Sequence, residues 1–322
     1  MTLNRIAKTP CKAAIALCVA GLASMPHLAS AADSASCETV RFSDVGWTDI
    51  TATTATASVL LEGLGYKTDT KVLSVPVTYQ SLANGDIDVF LGNWMPTMEA
   101  DIRPYLDDES VESTNINLEG AKYTLTTNAK GASLGIADFA DIANHKDALG
   151  GKIYGIEPGN DGNRLILDMI ENDAFGLSGW ELVESSEAGM LAQATRAEKS
   201  GEAIVFLGWE PHPMNANFDL TYLTGGDDFF GPNLGGATVY TNTRKGFATD
   251  CANAGKLISQ LTFSLAMENE IMGAILNDAE EPVDAATAWL KANPAVLDDW
   301  LAGVTSFDGG DGMAAVKSAL NL

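Results

Sequence analysis

Two octapeptides constrain this chain more than any other feature. Gly85-Asp86-Ile87-Asp88-Val89-Phe90-Leu91-Gly92 can be laid over Gly201-Glu202-Ala203-Ile204-Val205-Phe206-Leu207-Gly208, 116 residues later, without a gap and with five identities and one acidic match. Each copy runs on to a tryptophan and a proline, Trp94-Met95-Pro96 in the first and Trp209-Glu210-Pro211 in the second. A Val-Phe-Leu run bounded by glycines reads as a strand covered on both faces, as in parallel sheets. Helical patterns precede the copies, over residues 77–83 and 188–199. The same helix, glycine turn and strand therefore occur twice, which implies two similar lobes of about a hundred residues each.

Strands and helices alternate around these units. A strand at 40–45 precedes a helix at 50–62, and a strand at 152–156 precedes a helix at 163–171, the pattern of an α/β chain with parallel sheets and flanking helices. Ligands of such sheets sit beyond the carboxyl ends of the strands, where Trp47, Trp94 and Trp209 all fall. Two short Thr/Tyr-rich strands, 123–127 and 238–243, read as the crossings between lobes, and paired crossings make a hinge. From Cys251 onward the chain reads as helices punctuated by Pro282, Pro294 and the Gly-rich segment 308–312, returning to the first lobe. The expected division is 32–122 and 238–322 in one lobe and 123–237 in the other.

The first residues carry an address. Arg5, Lys8 and Lys12 precede an apolar run at 13–23, and Ala29-Ser30-Ala31 offers a small-x-small cleavage pattern, so residues 1–31 read as a signal peptide cut near Ala31. Cys11 and Cys18 leave with it, and neither follows a lipoprotein pattern, so a free exported protein is expected. No later apolar run reaches membrane-spanning length. In an oxidising compartment the remaining Cys37 and Cys251 read as one disulfide. A crosslink closing so long a loop is worth about 3–5 kcal/mol in chain-entropy models.

The formal net charge is -24, and it deepens once the three basic residues of the leader are removed. Such a field repels phosphate backbones and argues against nucleic acid, while an acidic balance of this kind is otherwise a solubility feature. Only His145 and His212 survive export, without zinc-ligand spacing or any Cys-x-x-Cys, so neither a metal nor a cofactor is expected. Gly131-Ala132-Ser133-Leu134-Gly135 fits the nucleophile elbow of a secreted α/β hydrolase, the leading enzyme alternative. It lacks an oxyanion motif, and it reads as the loop into a helix at 136–143. Asp308-Gly309-Gly310-Asp311-Gly312 lacks the ligand alternation of a calcium loop and reads as a turn. A sugar-binding pair of lobes would need many Asn, Asp and Arg side chains to bond hydroxyl groups, and of the basic residues only Arg164 lies near a candidate motif.

Five segments then carry a resemblance that covers essentially the whole mature chain: F-S-D-V-G-W-T-D-I-T-A-T at 42–53, V-F-L-G-N-W-M-P-T at 89–97, A-K-Y-T at 121–124, G-I-E-P-G-N-D-G-N-R at 155–164 and V-F-L-G-W-E-P-H-P at 205–213. By these motifs the chain resembles the periplasmic substrate-binding proteins of ABC-type importers for quaternary amines, and within them the choline-binding branch. The resemblance implies a two-lobed periplasmic-binding-protein fold of type II-like topology with its ligand in the cleft, a membrane permease as partner, and no enzymatic activity. It also implies an aromatic box of Trp47, Trp94, Tyr123 and Trp209 around a trimethylammonium head, with Asp49 and Asn160 at the ligand's hydroxyl end.

The chemistry suits those residue types. A trimethylammonium group is a full cation without an N–H, so carboxylates cannot grip it by hydrogen bonds, whereas aromatic faces offer a negative quadrupole and apolar area. Four contacts at about 0.5–2 kcal/mol each supply about 2–8 kcal/mol, against about 8 for micromolar binding, so methyl burial and hydroxyl bonds must add the rest. Asp49 accepts from an alcohol but repels a bound carboxylate, which favours choline over glycine betaine. On local sequence alone Asp49 reads as a cap for the helix beginning near Ile50, and Asn160 as a cap for the helix that follows it. Trp94 and Trp209 gain weight from their equivalent places in the repeat, Trp47 and Tyr123 rest on the resemblance, and Trp180, Trp289 and Trp300 read as packing residues.

Overall fold

Why a repeated sequence unit makes two halves is visible in the sheet order. In a computed structural model, residues 1–2 and 33–322 are described; the expected leader, its cleavage point, Cys11 and Cys18 lie outside them. Nine strands among the described residues form one sheet: β1 Thr39–Asp44, β2 Lys67–Val72, β3 Val89–Met95, β4 Val111–Asn128, β5 Lys152–Tyr154, β6 Glu181–Val183, β7 Val205–Glu210, β8 Leu220–Tyr222 and β9 Gly236–Arg244. Their order is β2-β1-β3-β9-β4-β7-β5-β6, with β8 beside β4. The triplets β2-β1-β3 and β6-β5-β7 are each parallel, and each is closed by an antiparallel strand, β9 on β3 and β4 on β7. β9 and β4 then pair with one another and join the halves. The repeated octapeptides supply β3 and β7, which occupy equivalent places, and each is followed by a cis X–Pro bond, at Pro96 and Pro211.

The elements form where their chemistry directs. Val89, Phe90 and Leu91 of β3 and Val205, Phe206 and Leu207 of β7 are all buried, as expected of strands covered on both faces. Helix α1, Thr48–Gly63, is rich in Ala and Thr and is buried over most of its circumference. It lies against the later helices Leu265–Asn277, Pro282–Ala292 and Gly312–Leu320. These carboxyl-terminal helices thus pack on the helix that follows β1. Trp180 and Trp300 are buried in the core, and Trp289 packs at its margin.

Two expectations need correction. The first crossing strand is not short: β4 runs for 18 residues. Its apolar alternation is hidden because the pairing with β9 shifts register at Ser113/Asn115, Ile116/Leu118 and Leu118/Ala121, each shift reversing which residues face which side. The helix expected over 136–143 shrinks to a single turn, Phe139–Ile142, because Asp138 and Asp141 close a capping box and start it later.

Cys37 and Cys251 are joined, with their Cα atoms 5.6 Å apart across 214 residues of sequence. Asp33 reinforces the same seam by accepting from the backbone N–H groups of Asn253 and Ala254 and from the Tyr66 hydroxyl, each at 2.9 Å. Replacing both cysteines by serine is expected to lower unfolding free energy by about 2–5 kcal/mol in guanidinium titrations, and a loss under about 1 kcal/mol would show that the Asp33 contacts hold the seam alone.

Candidate functional site

The carboxyl ends of the strands bring the sequence-predicted residues together. Trp47 follows β1 as the residue before α1, Trp94 lies near the end of β3, and Tyr123 in β4 pairs in register with Trp209 of β7. With Asp49 and Asn160 they line one cavity, completed by Ile156 and Asp161. Each of the four rings is no more than 5% exposed. Neighbouring rings meet edge to face: Trp94 and Tyr123 have centroids 6.1 Å apart at 65°, and Tyr123 and Trp209 are 6.2 Å apart at 82°.

Hydrogen bonds fix the planes of these rings. The Trp94 indole N–H donates to Asp49 Oδ2 at 3.1 Å, the Trp47 N–H to Glu157 Oε1 at 2.9 Å, and the Tyr123 hydroxyl to Asn160 Oδ1 at 2.9 Å. Asn160 also caps the helix Asp161–Glu171, its Oδ1 accepting from the Asn163 N–H at 3.0 Å, so capping and cavity lining coincide in one residue. Asp49 does not cap α1. It lies in the first turn with its carboxylate turned to Trp94, and the cap comes from Glu187, whose Oε2 accepts from the Thr48 N–H at 2.9 Å.

Sequence reasoning missed Glu157, Asp161, Ile156 and Glu187. The first three stand inside the 155–164 motif, of which only Asn160 was singled out; reading the whole motif as a cavity wall would have found them. Glu187 has no such signal, because its partner Thr48 is 139 residues away.

The cavity wall carries buried polar atoms and acids of raised pKa. Six buried side-chain polar atoms among the described residues have no partner, and three of them, Asp49 Oδ1, Asp161 Oδ2 and Trp209 Nε1, belong to residues of this cavity wall. Burial pushes the Asp49 carboxyl up to about 8, with the charge of Glu187 adding to it. Glu157 rises to about 7 and Asp161 to about 6, again chiefly by burial. No cation acts on Asp49 or Glu157, while Arg164 only partly offsets the burial of Asp161, so a cation placed among these acids would favour their ionised forms. No group of three or more His, Cys, Asp or Glu side chains suited to holding a metal ion occurs among the described residues.

A pH dependence follows. In the folded, empty protein these carboxyls hold protons that the unfolded chain has already lost, so their contribution to stability is present near pH 4 and disappears as pH rises through about 6–8. A bound cation lowers the raised values and releases protons. The thermal midpoint of the empty protein is therefore expected to fall between about pH 5 and about pH 8.5, while the further rise on adding a quaternary amine grows. A ligand-induced rise that stays constant in calorimetric scans across this range would refute the linkage.

A family model for the substrate binding domain of ABC-type glycine betaine transport systems matches residues 38–292. The chain belongs to this family. A solved ABC-transporter choline-binding protein in complex with choline is 72% identical, with a TM-score of 0.89 over 89% of this chain and 100% of that one. An ABC-transporter choline-binding protein in an unliganded semi-closed conformation is 73% identical, with a TM-score of 0.83 over the same shares. The glycine betaine/carnitine transport binding protein GbuC of Listeria monocytogenes serotype 1/2a (strain 10403S) is 32% identical over 157 residues, which are 49% of this chain and 51% of that protein. The two-lobed α/β architecture expected from the repeat is that of this family.

Members of the family are transport substrate-binding proteins and not enzymes, which disposes of the hydrolase reading of residues 131–135. Ser133 there is exposed, and its hydroxyl donates to the carbonyl of Lys130 at 2.7 Å. Substrate-binding proteins of ABC importers work in the periplasm or outside the cell. No helix among the described residues is long and apolar enough to cross a membrane.

Proposed function

We propose that this chain is a periplasmic receptor that captures choline between its two lobes and presents it to the membrane permease of an ABC importer. Residues 1–31 are the export signal, and the lobes comprise 32–122 with 238–322, and 123–237. Trp47, Trp94, Tyr123 and Trp209 are the walls that solvate the trimethylammonium head. Asp49 accepts from the ligand hydroxyl through its free Oδ1, and Asn160 Nδ2, which spends one hydrogen on Asp161 at 3.0 Å, keeps a second to offer the hydroxyl oxygen. Contacts from both lobes favour the closed form, which is the form the permease meets. No covalent chemistry takes part.

The observation that carries this reading is the convergence of four buried rings on a cavity whose wall includes Asp49, a buried carboxyl without a countercharge. The choline-bound relative supports the choice of ligand. Glycine betaine is the second reading, favoured by the unpartnered Trp209 N–H, which a carboxylate would satisfy. Competition calorimetry with choline, acetylcholine, glycine betaine, sulfonium analogues and a sugar panel tests both. Micromolar or tighter choline binding, with glycine betaine at least about tenfold weaker, is expected. A sugar that bound while choline did not would end the proposal.

A further inference from the structure

We propose that Glu187 is a positioning residue for ligand capture: its buried carboxylate clasps the first turn of α1 across the cleft and holds the aromatic walls of the two lobes at binding distance. The proposal rests on the receptor reading above. Glu187 opens the helix Glu187–Ser200 in the second lobe and is 3% exposed. Its Oε2 accepts from the Thr48 N–H at 2.9 Å, and its Oε1 accepts from the Thr48 hydroxyl at 2.5 Å and from His212 Nε2 at 3.1 Å. The residue before α1, Trp47, provides no side-chain cap of its own, so this helix of the first lobe borrows its cap from the second.

The direction of each bond is fixed. The Met214 N–H donates to His212 Nδ1 at 2.9 Å, which leaves the ring hydrogen on Nε2, aimed at Glu187. The anion also lies at the amino ends of two helices, where backbone N–H groups and the helix dipoles favour negative charge. At one end of the clasp Thr48 sits between Trp47 and Asp49. At the other, the His212 ring lies 4.9 Å from Trp209 at 71°. One carboxylate thus connects a wall of each lobe.

Ligand control arises from the surroundings of the clasp. The charge of Glu187 acts on Asp44, Asp49 and Glu157. Holding Glu187 on α1 crowds these acids and weakens the clasp, whereas a cation in the cavity screens them and strengthens it. Other contacts span the cleft, among them Trp47 to Glu157, Arg164 to Asp101 at 2.6 Å and to the Thr97 carbonyl at 3.1 Å, and Asn217 to Asn277 at 3.0 Å, but none of these accepts from a backbone N–H at the start of a helix.

The test uses the full mature chain with choline as probe. Glu187→Gln keeps the size of the side chain, but its amide N–H groups face donors from Thr48 and His212. It is expected to raise the choline Kd at least tenfold, mostly through faster release in stopped-flow, and to lower the thermal midpoint less without choline than with it. Small-angle scattering is expected to give a larger unliganded radius of gyration than the wild type. Thr48→Val, which removes only the hydroxyl contact, is expected to produce the same changes in smaller measure and serves if Glu187→Gln does not fold. Wild-type Kd and wild-type radius in both variants would overturn the proposal, as would equal losses of thermal midpoint with and without choline. A wild-type chain that did not bind choline would sink the receptor reading instead, and the scattering comparison would still decide the clasp.

Discussion

Replacing Trp94 or Trp209 by alanine is expected to weaken choline binding by more than tenfold, with far-ultraviolet circular dichroism and cooperative unfolding retained. Tenfold is about 1.4 kcal/mol, and each ring provides a cation–π contact of about 0.5–2 kcal/mol together with the apolar area that covers the methyl groups. Both rings are closed in, Trp94 among Asp49 and Tyr123 and Trp209 between Tyr123 and His212, so truncation also opens the cavity to water. Leucine at either position separates these contributions, since it keeps much of the apolar cover and lacks the quadrupole. Leucine variants binding as tightly as the native chain would mean that burial alone holds the ligand. Alanine variants with unchanged affinity would remove the aromatic box altogether.

Asp49→Asn is expected to split the ligands. The asparagine carbonyl can still accept from the Trp94 N–H, now at 3.1 Å from Asp49 Oδ2, so the ring stays in place. The free Oδ1 becomes an amide that donates, and one negative charge leaves the wall. A hydrogen bond to a charged acceptor is worth about 1.5–3 kcal/mol, so choline should lose roughly 10- to 100-fold in affinity. Glycine betaine, whose carboxylate is repelled by Asp49 and welcomed by an amide, should hold its affinity or gain. Equal losses for both, measured by titration calorimetry, would show that Asp49 serves only as general negative charge and does not read the hydroxyl.

What was legible in the sequence follows from the range of the interactions involved. The Val-Phe-Leu strands, the glycine turns and the tryptophans beyond them are encoded over fewer than a dozen residues, and they appear at β3 and β7 as expected. Asn160 was ambiguous for a physical reason: one oxygen serves the helix and the tyrosine at once. The length of β4 was hidden by register shifts, which scramble the period that strand reading relies on. Glu187 was invisible as a site residue because its role arises only when the halves meet, and a lone acid at the start of a helix has an ordinary local explanation.

The placement of β9 between β3 and β4 has a consequence for biogenesis. A chain emerging amino end first completes β1, β2 and β3 well before residues 236–244 exist to cover the open side of β3. Until then a Val-Phe-Leu edge stands ready to pair with any passing strand, which is the situation in which nascent proteins associate wrongly. The segment containing β5, β6 and β7 has its partner β4 already made and can form without delay. The early part of this protein therefore keeps an uncovered strand edge until about three quarters of the chain has appeared.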